Sequence, residues 1–558
     1  MAKENRAAAG SKSDEPGLFR KFENWSQKNN RKIFVTLLLG SLVLALLSFN
    51  ARISEAHDDA LYLEAGWRFV NEFPEYFYTQ NAPLYPLFLA AALKVMGFRL
   101  IIFKLFSVLF HLLGFTLFYK ALRNRVPAVV FLPVVLFHAV NHLILYFASM
   151  TFTEAFYFFL QGLLFYSAAK IIDLQKDSWR DIRANSGAWL LFGLSMFLIS
   201  TGKSAAIVVI PAVILFFIIE KKYIALFSSL LVYLLFKVPY EIVIKLVWKA
   251  QNQFKNQGAI LLQKDPYDAS LGNEDLWGFV NRFFENLNLS LSKRFYQLLG
   301  FREDTSTDTY IWLALGTLAL ALFGFWKLLR HNNKLMVLLA LFTGAQLVLS
   351  YSILQTRWDQ PRITLVCMPI MLMLIFYGIY VFSIKKEWPV IYLGTMLLVS
   401  ASVCLSSFKR ASDNVPVIKR NLKGDKYFGY TPDWQNFLKC SEWCAENLPD
   451  SALVASRKAP MSFVYGNGKK FFPIYSVIHR DSVTKQSNPD SALVYLKKNG
   501  VSHVMLASLR VNPNYPQAGI INTVHYIIIP VAQKYPDKLK LIHTEGLIEE
   551  TYLYEIVY

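Results

Sequence analysis

Long apolar runs recur along the first 406 residues and then stop. They fall at roughly 33–50, 100–121, 127–146, 150–170, 187–202, 204–220, 223–247, 309–329, 334–353, 362–383 and 389–407. Crossing a bilayer core about 30 Å thick takes about 20 residues, because a helix rises about 1.5 Å per residue. The pattern therefore predicts eleven membrane spans. A further run, 83–97, is short and interrupted by Lys94, and predicts a helix lying at or dipping into the interface.

Past Lys409 the pattern changes: Pro, Gly, Asp, Asn and Lys rise, and no run can span. There, 433–448 predicts an amphipathic helix with Asp433 near its N-cap. The stretches 452–456, 470–475 and 501–506 predict short strands, 490–498 a helix ending at Gly500, and 521–534 another helix. Residues 539–544 and 551–558 predict a closing hairpin. The expected fold class is a polytopic α-helical membrane protein with a C-terminal soluble α/β domain. The expected division is 1–32 (a basic N-terminal segment), 33–407 (the membrane domain, with external loops 51–99 and 248–308) and 408–558. No Gly-rich phosphate loop and no internal repeat stands out.

Composition agrees: 54% of residues are hydrophobic and 17% charged, where soluble domains carry about 25% charged. The net charge of +19 would suggest nucleic acid in a soluble protein. Here no compact basic, aromatic-studded domain exists, so no nucleic-acid partner is expected. The basic residues collect instead in alternate short loops: the N-terminus, Lys120/Arg123/Arg125, Lys170/Lys176/Arg180/Arg183, Lys221/Lys222, Lys327/Arg330/Lys334 and Lys385/Lys386. Cytoplasmic loops are enriched in Lys and Arg. The rule puts the N-terminus inside and 51–99, 248–308 and the C-terminal domain outside an integral membrane protein, expected to be of the bacterial inner (cell) membrane. The first apolar run exceeds a signal peptide's usual core. Ser54-Glu55-Ala56 only faintly resembles a cleavage site, so the run is read as an uncleaved anchor. Cys367 and Cys404 lie in apolar runs as packing residues. Cys440 and Cys444 sit four apart on a predicted helix, a poor disulfide spacing, with no zinc pattern nearby.

Six charged residues sit on the side predicted to be external. Asp58 and Asp59 follow the first run; they are a general base with a flanking carboxylate that tunes it, or a solvated pair capping a helix that starts near Ala60. Glu154 lies in the first turn of the fourth predicted span, either a favourable helix-dipole placement or a further carboxylate of the same site. Lys203 stands between two closely spaced runs, either reaching lipid headgroups or meeting an anion. Arg357 and Arg362 flank the tenth span. They either pair with Asp359 and lipid phosphate or grip a phosphate with a planar fork. Acids and cations on one face are the mix that a site activating a hydroxyl beside a lipid phosphate needs.

On these residues the chain resembles the polyprenyl-phosphate-dependent GT-C glycosyltransferases, in the branch of protein O-mannosyltransferases and lipid A aminoarabinose transferases. Asp58-Asp59-Ala60-Leu61-Tyr62-Leu63-Glu64-Ala65 resembles that family's first-loop acidic motif. Asn81-Ala82-Pro83-Leu84-Tyr85-Pro86 resembles its Pro-Pro-Leu segment, with Ala82 for the first Pro. Thr153-Glu154 resembles its acidic residue at the fourth span, and Thr201-Gly202-Lys203 its Thr-Lys turn with a Gly inserted. Arg362 before Pro369 resembles its Arg-Tyr motif, with Ile363 for the Tyr. The likeness covers roughly 33–406 in order and spacing.

The resemblance implies a GT-C-like fold and an inverting transfer. A sugar would pass from a polyprenyl-phosphate donor to an extracytoplasmic hydroxyl or phosphate of a glycan, lipid or protein. It implies Asp58 as base, with Asp59 and Glu154 orienting the acceptor or tuning Asp58, and Tyr62 as a substrate contact. Lys203, Arg357 and Arg362 would meet the donor phosphate. No cofactor is implied with certainty. His57 and Asp59 are weak candidates for a divalent metal, a hydrated loop histidine being the plainer reading of His57. The competing reading is a transporter or lipid-linked sugar flippase, which favours ionisable groups near the bilayer midplane and broken helices in corresponding halves. A scaffold presenting the C-terminal domain is a third reading.

Overall fold

A computed structural model describes residues 17–174, 177–249, 260–266, 271–303, 306–481, 483–511 and 519–558. They form two compact units. The first draws on Met1–Phe49, Pro74–Tyr85 and Lys104–Val415, the second on Asn50–Phe73, Pro86–Phe103 and Pro416–Tyr558.

In the membrane unit all eleven apolar runs are helical, but not all are long enough to cross on their own. Among the described residues seven helices meet the length and hydropathy needed: Gly17–Ser48, Leu100–Leu122, Thr153–Ile172, Ile311–Arg330, Lys334–Ile353, Met368–Lys385 and Pro389–Leu422. An eighth candidate is the pair Ala128–Val140 and His142–Ala148, bent by 45°. The Asn141 side chain caps the second half by accepting from the Leu143 and Ile144 amides, and donates to the Leu298 carbonyl at 2.7 Å. A break inside the apolar layer needs such internal partners for its freed backbone groups.

The runs expected at 187–202 and 204–220 are the shorter apolar helices Ser186–Gly202 and Ser204–Ile219, and 223–247 is the helix Tyr223–Trp248. The interfacial run is the helix Leu84–Met96. Two glycines let the helices Leu100–Leu122 and Thr153–Ile172 meet closely. A Cβ on Gly114 would come within 2.8 Å of the Phe158 backbone, and one on Gly162 within 2.7 Å of the Gly114 carbonyl.

The second unit is built on a five-stranded sheet. Its strands are β1 (Leu453–Ser456), β2 (Phe471–Pro473), β3 (Val501–Ala507), β6 (Leu539–Glu545) and β7 (Thr551–Ile556), in the order β2-β1-β3-β7-β6. β1 runs parallel to β2 and β3, and β7 is antiparallel to β3 and β6. The short strands β4 (Leu509–Arg510) and β5 (Ile520–Ile521) pair separately. Helices Pro489–Lys498 and His525–Lys534 cover the sheet through Leu493, Leu496, Ile527, Ile528 and Val531, which pack with Ala455, Val501, Val504 and Ile556.

Three features depart from expectation. The helix Pro389–Leu422 runs unbroken past 407, carrying Pro416 inside it. The start of the helix expected at 521 is strand β5. Residues 50–73, expected as a loop of the membrane domain, belong to the second unit. Their attachment is specific: the Tyr430 hydroxyl accepts from the Ile53 amide at 2.8 Å and donates to the Ile53 carbonyl at 2.6 Å, and Trp67 packs edge-on against Phe463.

Candidate active site

The helix Asp58–Asn71 starts abruptly. Its N-cap, His57, has φ 67°, in the left-handed region that side chains other than glycine seldom occupy, and gives no side-chain cap bond. Asp59 is 1% exposed. Its Oδ2 accepts the Ser54 amide at 2.9 Å and its Oδ1 the Ala60 amide at 3.0 Å. Asp59 is thus a buried acid held by backbone amides, one of them reaching back to Ser54, within a helix whose N-cap is His57. Asp58 is only half-buried, and Tyr62 is buried.

Around this helix start lie residues that the sequence did not single out. After β1 come Arg457 and Lys458, and Lys458 Nζ donates to the Glu55 carbonyl at 2.8 Å. The Tyr475 ring meets His57 edge-on at 5.6 Å, and Glu64, Arg457 and Asp58 act electrostatically on its phenol. Burial, then Lys458 and Arg457, holds the His57 imidazole well below its usual range, so it is neutral. Burial pushes the Glu64 carboxyl up to about 7, opposed by Arg68. It raises the Glu55 carboxyl as well, against Arg52. Glu64 was written in the acidic motif, and its period along the helix could have marked it. Lys458 carried no such signal, because its partner lies some 400 residues away.

In the membrane unit, Glu154 is fully buried at the start of the helix Thr153–Ile172. Lys203 Nζ donates to its Oε1 at 2.9 Å, and Arg362 Nε lies 4.0 Å from the same oxygen. The Lys203 ammonium also sits 5.4 Å from the Tyr157 ring centre, and the Arg362 guanidinium 5.9 Å from that of Phe152. Arg362 Nε donates to Gln360 Oε1 at 2.7 Å. Beside Lys203, the Ser204 hydroxyl donates to Asn81 Oδ1 at 2.7 Å, and the Tyr85 ring packs 5.4 Å from Phe156. The Asn81–Pro86 and Thr201–Lys203 motifs therefore meet around the head of the Glu154 helix.

Three of the expected residues, Glu154, Lys203 and Arg362, form one cluster of two cations on one buried carboxylate. His57, Asp58, Asp59 and Tyr62 form the other group, in the second unit. Arg357 is exposed and pairs with Asp265 at 2.7 Å. The Asp359 expected to serve it instead takes Lys293 at 2.6 Å and Arg294 at 2.7 Å. Those two cations come from the π-helical turn Leu289–Arg294, a geometry that recurs at functional sites, and no motif announced them.

Among the described residues no three of His, Cys, Asp and Glu come together as a metal set, and both oxygens of the Asp59 carboxylate accept backbone amides. The four cysteines are all free thiols.

No protein-family model matches the sequence, and no curated protein matches it at the sequence level. Solved structures do match in shape. ArnT from Cupriavidus metallidurans in the apo state aligns over 95% of this chain and 98% of its own, with a TM-score of 0.54 at 12% identity. The same protein bound to undecaprenyl phosphate aligns over 94% and 98%, at 0.53 and 13%. The archaeal oligosaccharyltransferase AglB from Archaeoglobus fulgidus, in complex with an inhibitory peptide and a dolichol-phosphate, aligns over 87% of this chain and 70% of its own, at 0.52 and 11%. At such identities the likeness speaks for the fold: this chain has the GT-C fold of membrane glycosyltransferases, a polytopic helical domain with a C-terminal domain built on a sheet.

Proposed function

We propose that the protein is an inverting glycosyltransferase, moving a sugar from a polyprenyl-phosphate donor to an extracytoplasmic hydroxyl or phosphate of a glycan, lipid or protein. The observation that carries this reading is the Glu154–Lys203–Arg362 cluster. A carboxylate buried at membrane depth is retained when cations offset it, and two cations on one carboxylate leave an excess positive charge suited to a lipid phosphate. The complexes of ArnT with undecaprenyl phosphate and of AglB with dolichol-phosphate support the same donor class.

In this mechanism Lys203 and Arg362 hold the donor phosphate. As the anomeric C–O bond breaks, its electron pair passes to the phosphate oxygen, and both cations stabilise that growing charge. Asp58, the half-buried member of the acid pair, takes the proton from the attacking hydroxyl. Asp59 holds the turn that presents Asp58. Glu154 keeps the two cations in place. No step runs through a metal. By charge distribution the N-terminus lies in the cytoplasm and the C-terminal domain outside, in a bacterial inner membrane. Protease added to sealed spheroplasts should then remove the C-terminal domain.

The test is transfer from a synthetic polyprenyl-phosphate sugar by detergent-purified protein. Asp58→Asn should lower turnover about 100- to 10,000-fold while donor still binds. Vectorial uptake in vesicles without transfer would instead establish the transporter reading.

A further inference from the structure

The second unit carries a buried cation, Lys458, that the chemistry above does not use. Lys458 is 8% exposed and follows β1 in the C-terminal part of the chain. Its Nζ donates to the Glu55 carbonyl at 2.8 Å and lies 5.7 Å from the Trp434 ring centre. A lysine out of water keeps its charge only beside counter-charges. Those acting on it are Asp58, Glu55 and Asp59, with Arg457 opposing.

We propose that Lys458 is a positioning residue for Asp58, fixing the Glu55–His57 turn and serving as counter-ion to the Asp58–Asp59 pair. Lys458 thereby belongs with the group around Asp58 in the second unit. This rests on the transferase reading above.

The turn needs such a hold. His57 sits at φ 67°, and a conformation of that kind persists where its surroundings over-determine it. Two of the bonds that define the turn arise within it: His57 N to Ser54 O and Ser54 N to Asp59 Oδ2, both at 2.9 Å. Lys458 reaches in from more than 400 residues along the chain. It brings charge as well as a bond. Burial dominates its titration and pulls it down to about 8, while the three carboxylates oppose that fall. Tyr430 offers an internal control, because its hydroxyl ties Ile53 of the same segment without charge.

Steady-state kinetics of the full-length protein with a synthetic polyprenyl-phosphate donor test this. Lys458→Met should lower kcat about tenfold or more with the donor KM changed less than about twofold, since the donor phosphate is held elsewhere. Lys458→Gln, which keeps a donor for the Glu55 carbonyl but no charge, should lose as much, and it serves if the Met variant does not fold. Lys458→Arg should retain kcat within about threefold, and Tyr430→Phe likewise. A wild-type kcat in Lys458→Gln would overturn the proposal. So would equal losses in Lys458→Gln and Tyr430→Phe, which would reduce Lys458 to a mechanical tether. Absence of transfer by the wild-type protein would sink the transferase reading itself. Transfer that is lost in Asp58→Asn but intact in Lys458→Gln would sink only the role of Lys458.

Discussion

Glu154 and Asp59 are both buried carboxylates at the start of helices, and they are satisfied by opposite means. Glu154, in an apolar helix, takes charged side chains: Lys203 at 2.9 Å and Arg362 at 4.0 Å. Asp59, in the second unit, takes backbone amides from Ser54 and Ala60. In a hydrocarbon setting a bare carboxylate is too costly, and a cation must come with it. Beside a tight turn, oriented N–H groups hold the carboxylate in place. A carboxylate bound to two cations organises positive charge, and one that accepts backbone amides organises the turn that carries the half-buried Asp58.

The comparison breaks first at Glu154. Glu154→Gln leaves Lys203 and Arg362 without their counter-ion, and losing one partner of a buried pair costs about 3–5 kcal/mol. Asp59→Asn loses charge-assisted bonds worth about 1.5–3 kcal/mol. Thermal unfolding in one detergent should therefore rank Glu154→Gln as the more damaging; the reverse ranking would reassign both acids.

Next come the cations. Lys203→Ala and Arg362→Ala should each slow transfer about 100- to 1,000-fold, as removal of a charge-stabilising donor does, with the rate suffering more than donor binding. Donor-concentration kinetics separate the two quantities, and unchanged kinetics in both variants would unseat the proposed phosphate site.

A smaller effect sharpens the second unit. Glu64 titrates at about 7 against an ordinary 4.5, so folding favours its protonated form. The contribution is full below the ordinary value and is lost as pH rises through about 7. The wild-type thermal midpoint should fall between about pH 5 and pH 8, and Glu64→Gln should lose that part of the dependence and be the more stable at the upper end. Parallel curves would remove Glu64 from the buried group.

The smallest effect is expected at Arg357, whose exposed pair with Asp265 is worth about 0.2–1 kcal/mol. Arg357→Ala should leave donor kinetics near wild type. A large loss there would move the phosphate site toward Asp265 and away from Glu154.

What the sequence showed was local. Apolar runs gave helices, and alternation gave β1, β3, β6 and β7 to within two residues of their observed bounds. The external Lys203, Arg357 and Arg362 suggested an anion site because they ran against the positive-inside trend, and Glu154 stood out as a carboxylate in the first turn of a span. Short or composite elements escaped. The seven-residue helix Ala459–Tyr465 is too brief to show a period, and Pro389–Leu422 continues beyond its apolar part on an amphipathic pattern. Runs 187–202 and 204–220 were read as two spans either side of Lys203, and each is a shorter apolar helix. The union of 50–73 with the C-terminal domain was illegible for a different reason. Tyr430 with Ile53 and Lys458 with Glu55 are pairs about 400 residues apart, and no periodicity encodes such partners.

The central claim is a single displacement with Asp58 as base and no covalent sugar on the protein. Its most direct test is the anomeric configuration of the product, read by NMR after transfer from a synthetic donor of known anomer. One displacement inverts the anomeric centre, so the product should carry the configuration opposite to the donor's. Retention would contradict the account, because it requires a nucleophile that first takes the sugar and then yields it.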